Sequence, residues 1–285
     1  MCGVAKLEDR LYVVCDNSTN LFVFEAPYEK EVQRLVVNGL IAPQNIMACF
    51  TTKCLYISDR ESSCIWKIKT FHLRKSSSQC VSPEKVKIKN LYNILTIESD
   101  GSLLAVNENA VLRYEANGSC SQICKLPDSI HVVHAVLTSH KHIIVSYTVP
   151  ESHDYKTDCV WFVSEFDETG NRQRNSGPLP GRLEYARYLA VISKGGSDIA
   201  VLVADCDYNT VLLLDEDLKL SKYNILLNSQ LDDILEPRRM LYDKESKELI
   251  LGQNNGWVNI YNVDVLIHHR SNLPSSHVRL RASLL

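Results

Sequence analysis

A short apolar run that closes on a polar or turn-like residue, a polar connection and a second run of branched or aromatic residues occur in that order six times along this chain. The first runs are Tyr12 to Asp16, Leu55 to Asp59, Leu103 to Asn107, Ile143 to Tyr147, Val201 to Asp205 and Leu249 to Gln253. They begin 43, 48, 40, 58 and 48 residues apart. Recurrence at a period of about 20–50 residues means a unit that cannot bury its own apolar faces and must stack on the next copy.

The second runs are Leu21 to Phe24, Ile65 to Ile68, Val111 to Tyr114, Val160 to Val163, Val211 to Leu214 and Val258 to Tyr261. Runs of this length and composition, bounded by Asn, Asp, Ser and Gly, read as strands joined by hairpins. An apolar segment precedes each hairpin: Gly3 to Leu7, Asn45 to Cys49, Tyr92 to Ile97, Val132 to Leu137, Tyr188 to Ile192 and Arg239 to Tyr242. A weaker one follows most of them: Val32 to Val37, Val86 to Ile88, Gln122 to Leu126 and Tyr223 to Leu227. Four antiparallel strands per unit, with no helical period, predict an all-β fold: a six-bladed β-propeller of four-stranded antiparallel blades. The expected layout is one propeller domain over residues 1–285, with repeats at 3–43, 44–91, 92–129, 130–185, 186–236 and 237–285. In the fourth unit Arg172-Gln173-Arg174 makes a poor outer strand. The sixth must draw its outer strand from Val263 to His268 or from the tail Val278 to Arg281. The first unit starts at its innermost strand, so little sequence precedes it to complete the last blade.

The units resemble NHL-type repeats, in which an apolar innermost strand is followed by a Tyr-Val-Ala-Asp-like strand, a polar hairpin and an Ile-x-x-Phe-like strand. Leu55-Tyr56-Ile57-Ser58-Asp59 with Ile65-Trp66-Lys67-Ile68 is the nearest copy, and Val203-Ala204-Asp205 with Val211 to Leu214 the next. The resemblance spans about residues 3 to 263. The isolated-propeller layout is also similar to single-domain propellers of invertebrates. The resemblance implies a binding surface on the face that carries the hairpins between second and third strands. Loops held on a rigid scaffold are where function tends to sit.

The candidate binding residues are therefore Asn17, Arg60, Glu108, His153, Asp154, Tyr155, Asp207, Tyr208 and Asn254. Acidic residues outnumber basic ones in these hairpins, which favours a basic peptide or protein partner, although Asp and Asn also suit tight turns on their own account. Pro150 to Asp158 is the longest of the six hairpins. A net charge of -3 over 285 residues offers no footprint for a phosphate backbone, so nucleic acid is disfavoured. No apolar run approaches the roughly 20 residues of a membrane span, and with no leader pattern the expectation is a cytoplasmic protein. Of the ten cysteines, Cys15, Cys49, Cys124 and Cys159 sit inside apolar runs and are expected to be reduced core residues.

No phosphate loop, nucleophile elbow or His-Glu-x-x-His occurs, and no cofactor or metal is expected. His131 and His134 point to opposite faces of a strand. His140 and His142 lack a third ligand, and Cys120 with Cys124 lacks a second pair. The resulting expectation is a non-enzymatic protein- or peptide-binding module. The alternative is a calcium-dependent lactonase or hydrolase with Asp59, Asn107 and Asp205 as oxygen donors. The third reading, a single-stranded RNA binder, has Tyr155, Tyr185 and Tyr208 to stack on bases but no basic groove.

Overall fold

The computed structural model describes residues 2–28, 31–70, 73, 80–87, 93–97, 102–107, 109–115, 119–128, 130–150, 159–177, 179, 188–194, 197–268 and 277–281. The first blade is β1 (Cys2–Leu7), β2 (Arg10–Cys15), β3 (Asn20–Glu25) and β4 (Glu31–Val37). The second is β5 (Pro43–Cys49), β6 (Cys54–Asp59) and β7 (Cys64–Lys69), after which β8 (Cys80–Val81) runs parallel to the edge of β4 and β9 (Glu84–Lys87) returns to pair with β7. The third is β10 (Asn93–Ile97), β11 (Leu103–Asn107), β12 (Ala110–Tyr114) and β13 (Cys120–Lys125). The fourth is β14 (His131–Leu137), β15 (Ile143–Pro150), β16 (Cys159–Phe166) and β17 (Arg172–Asn175). The fifth is β18 (Tyr188–Lys194), β19 (Ser197–Asp205), β20 (Thr210–Leu214) and β21 (Leu220–Asn228), followed by the short helix α1 (Ser229–Asp232). The sixth is β22 (Pro237–Asp243), β23 (Glu248–Gln253) and β24 (Trp257–Asn262), then helix α2 (Val263–His268) and β25 (His277–Arg281). Within each blade consecutive strands are antiparallel neighbours, and the innermost strands pack on one another around a ring in which β22 meets β1. The fold is a six-bladed β-propeller.

The reason the strands read as nearly unbroken apolar runs lies in the packing. Successive side chains of a strand point to opposite faces, and here each face meets a neighbouring blade. In β2, Tyr12 and Val14 enter the core shared with the second blade, while Leu11, Val13 and Cys15 enter the core shared with the sixth. Strands buried on both faces lose the polar alternation of half-exposed ones. The described apolar side chains form clusters between blades in this way all round the ring.

Closure needs no exchanged strand. All four strands of the sixth blade come from its own stretch of chain, with β25 supplying the outer strand and Val263–His268 forming α2 instead. First and last blades are joined by side chains: Phe22 and Phe24 pack with Ile250 and Ile260. Lys6 bridges to Asp243, to Glu248 at 3.2 Å and to Ser246 at 3.0 Å.

Two expectations need amendment. Arg172–Asn175 does pair as an outer strand, held where Glu165 accepts from Arg174. The cysteines are not uniformly reduced. Cys49, Cys54, Cys64, Cys124 and Cys206 are free and buried and Cys120 is free and exposed, but Cys15 is disulfide-bonded, and in the β1–β2 register it stands opposite Cys2.

Candidate functional site

On the face carrying the second-to-third-strand hairpins, polar residues at the ends of second strands tie connections and hairpins together. Asp59 ends β6 and is fully buried. Its carboxylate accepts from Ile41 N at 2.8 Å and Ala42 N at 3.2 Å in the connection from the first blade, from Ser62 N at 3.2 Å in its own hairpin and from Trp66 Nε1 at 3.2 Å. Burial opposes its ionisation, but these four donors outweigh burial and hold its carboxyl below the usual carboxylate range. Gln253 repeats the role in the sixth blade, accepting from Leu235 N at 2.7 Å. Trp66 lies so close to Gly39 that a Cβ there would approach its ring to 2.8 Å, and Gly39 takes φ +85. With both oxygens engaged by protein donors, Asp59 is a tie between connection and hairpin, not a cation ligand. The side chain of Asn107 lies outside the described residues, and Asp205 accepts from Tyr208 N at 3.4 Å.

Five of the nine candidate residues can be located. Asn17, Arg60, Asp207, Tyr208 and Asn254 are exposed on the hairpins of the first, second, fifth and sixth blades. Glu108 and the segment holding His153, Asp154 and Tyr155 lie outside the described residues; the register of Pro150 with Cys159 puts the ends of that long hairpin on the same face. Arg60 pairs with its neighbour Glu61 at 3.7 Å, and Asn17 holds a left-handed turn at φ 59.

The fold brings Asp207, Tyr208 and Asn254 together around residues 229–236, the connection from fifth to sixth blade. Asn209 Oδ1 accepts from Glu236 N at 2.5 Å, while Asn254 donates from its backbone to Glu236 O at 3.2 Å and from Nδ2 to Glu236 Oε2 at 2.6 Å. The connection is anchored from below. Asn228 caps α1, accepting from Gln230 N and Leu231 N, and Tyr261 donates its hydroxyl to Asp232 O at 3.0 Å. Asn209, Asp233 and Glu236 all adopt positive φ here (52°, 55° and 44°), a conformation that Asn and Asp tolerate more readily than Glu. On this scaffold Tyr208, Leu231 and Leu235 are 59%, 71% and 48% exposed, with Asp207, Asp233 and Glu236 among them. Sequence reasoning found Tyr208 but not Leu231 or Leu235, which sit in an inter-blade connection that carries no repeat signal.

The central channel holds a second constellation. One residue of each innermost strand stands opposite the position just before the closing residue of the second strand: Cys2 opposite Cys15, Asn45 opposite Ser58, Asn93 opposite Val106, His134 opposite Ser146, Tyr188 opposite Ala204 and Arg239 opposite Gly252. In the second, fourth and sixth blades a β-bulge adds one residue, Gln44, Val133 and Arg238, immediately before this position. Bulges of this kind re-aim the side chain that follows. Arg239 is buried, and its Nε donates to Gln44 O at 3.0 Å, reaching past the first blade. Its guanidinium lies 3.8 Å over the Tyr188 ring, whose neighbour His134 meets it edge-on at 5.2 Å. Burial and then the charge of Arg239 push the His134 imidazole down to about 3, so it is neutral. Its Nδ1 accepts from Leu189 N at 3.2 Å, which assigns the ring proton to Nε2. Burial also pushes the Arg239 guanidinium below its ordinary range. Sequence reasoning weighed His134 only as a metal ligand and passed over Arg239. The signal available was a basic residue at the start of an apolar innermost strand.

Among solved structures the chain is similar to a streptogramin B lyase, with 12% identity and a TM-score of 0.60, over 99% of this chain and 83% of that one. It is similar to virginiamycin B lyase from Staphylococcus aureus at 8% identity and a TM-score of 0.55, covering 100% and 85%. An auxiliary nutrient binding protein from Bacteroides thetaiotaomicron aligns at 12% identity and a TM-score of 0.59, covering 88% and 66%. No family model and no curated protein matches the chain in sequence. At these identities the likeness carries the architecture alone, since one fold serves unrelated activities.

Proposed function

We propose that this propeller is a non-enzymatic binding module of the NHL-like kind that takes a basic, extended segment of a protein partner on its hairpin face, centred on the corner between fifth and sixth blades. The observation that carries this reading is the exposure of Tyr208, Leu231 and Leu235 among the carboxylates of Asp207, Asp233 and Glu236. Exposed aromatic and aliphatic groups surrounded by charge mark interaction surfaces, and a buried aromatic anchor supplies most of the energy when such a surface is covered. Asp233 already pairs with Arg279 and Glu236 with Arg238 at 3.3 Å, so the rim keeps only a small acidic excess, which favours lysine and arginine in the partner and speeds encounter. Asn17, Arg60 and Asn254, with the hairpins that carry Glu108, His153, Asp154 and Tyr155, extend the contact round the ring. The lactonase reading is not favoured, because Asp59, one of its proposed oxygen donors, spends both oxygens on protein donors. The buried free thiols fit a reducing compartment such as the cytoplasm, whereas the bonded Cys15 does not. No described helix is long and apolar enough to cross a membrane.

Selection from a displayed library of random peptides tests the proposal. Enriched peptides are expected to combine Lys or Arg with an apolar anchor, and Tyr208→Ala is expected to weaken them by roughly tenfold or more, as loss of an interface anchor does. Enrichment of acidic peptides, or binding that is indifferent to both Tyr208→Ala and Leu235→Ser, would contradict it.

A further inference from the structure

We propose that the central channel contains a separate site for a small organic carboxylate with an apolar body, received by the guanidinium of Arg239. The channel holds a partly open cavity of about 260 Å³, just below the volumes that usually take small ligands. Val4, Met47, Val136, Leu189, Met240 and Leu241 give it apolar walls. Asn45, His134 and Arg239 line it at the level of the bulges, and Ser193 and Lys244 line it near the opposite ends of the strands. The described lining therefore contains two cations and no carboxylate.

Arg239 is the reason to expect an anion. A buried guanidinium away from a counter-charge is costly unless hydrogen-bonded and neutralised. Arg239 is 3% exposed, makes no direct ion pair among the described residues, and has a carbonyl and an aromatic face as its contacts, with the charge of Asp16 acting on it only from beyond contact distance. Its Nη1 is buried with no hydrogen-bond acceptor among the described residues. A carboxylate would supply both the charge and the acceptor, in the geometry that the planar guanidinium fork prefers. The neutral His134 presents Nε2–H as a further donor at the same level, and Tyr188 fixes the guanidinium plane by stacking. One buried cation between apolar walls matches a single negative charge on an alkyl or aryl body better than it matches inorganic phosphate.

The test compares hexanoate and benzoate with hexanol, benzyl alcohol and inorganic phosphate on the unaltered protein, by calorimetry and by the ring ¹⁵N shifts of His134. The carboxylates are expected to bind roughly 10- to 100-fold more tightly than the alcohols, the worth of a charge-assisted hydrogen bond, and to move the His134 signals. Arg239→Gln should abolish that preference while melting no lower than the unaltered protein without ligand, because an uncompensated buried charge has been removed. Equal binding of carboxylates and alcohols, binding of neither, or preference for phosphate would overturn the proposal. So would an Arg239→Gln variant that melts lower yet keeps the carboxylate preference, since Arg239 would then be a structural tie. If that variant does not fold, the comparison on the unaltered protein decides.

Discussion

Asp59 illustrates how a residue that resembles a ligand can be explained by what it holds. Four donors converge on it from the incoming connection, the hairpin and Trp66, and each buried donor left unpaired costs about 1–3 kcal/mol. Asp59→Ala is therefore expected to lower stability by about 3 kcal/mol or more in urea denaturation. Because its folded carboxyl lies below its ordinary value, the stabilisation it gives is present above about pH 4 and is lost as the pH falls through the lowered value. The gap between Asp59→Asn and the unaltered protein should accordingly shrink in acid. His134 behaves with the opposite charge logic. Its folded pKa of about 3 lies below the unfolded value near 6.5, so the unfolded chain binds the proton first. Between those two values the unaltered protein should lose stability relative to His134→Asn by roughly 1.4 kcal/mol per pH unit. Matched denaturation curves at neutral and mildly acid pH read this directly, and parallel behaviour of the two proteins would show that His134 is not buried neutral.

At the scale of the elements, the alternation of one strand between two inter-blade cores explains both the legible and the illegible parts of the sequence. Tyr12 and Val14 against Leu11 and Val13 is a pattern any alignment of the repeats reproduces, and it placed the second and third strands of all six blades within a few residues. The bulges at Gln44, Val133 and Arg238 were not legible, because an extra residue in one strand shows only against the register of its partner. Nor were β8, α1, α2 or the bonded state of Cys15, which depend on contacts outside the repeating unit. Ring closure could be narrowed to two candidate strands but not resolved, since pairing of β24 with β25 is decided by tertiary contact. The half-buried bridge of Lys6 to Asp243 and Glu248 now gives closure a test. Lys6→Ala leaves two carboxylates side by side and is expected to cost about 2 kcal/mol, whereas Lys53→Ala, which loses an exposed pair with Glu8, should cost within about 1 kcal/mol. Equal melting temperatures for the two variants would remove Lys6 from the closure.

For the molecule as a whole, the ring gives two surfaces and an axis, and the two proposed sites lie on different ones. The hairpin face gathers exposed apolar groups and carboxylates where the fifth blade meets the sixth, while the axis holds a buried cation in a small cavity of mixed polar and apolar lining. The hairpins themselves could be read from the sequence, but their grouping could not. Tyr208 and Asn254 lie 46 positions apart, and their hairpins are tied together through Glu236, which bonds to Asn209 in one and to Asn254 in the other. The most direct measurement is hydrogen exchange on the complex with a selected basic peptide. Exchange is expected to slow at residues 207–209, 231–236 and 254–255, with residues 50–53, 139–141 and 244–247 at the opposite ends of the blades unchanged. Slowed exchange confined to those opposite loops would contradict it.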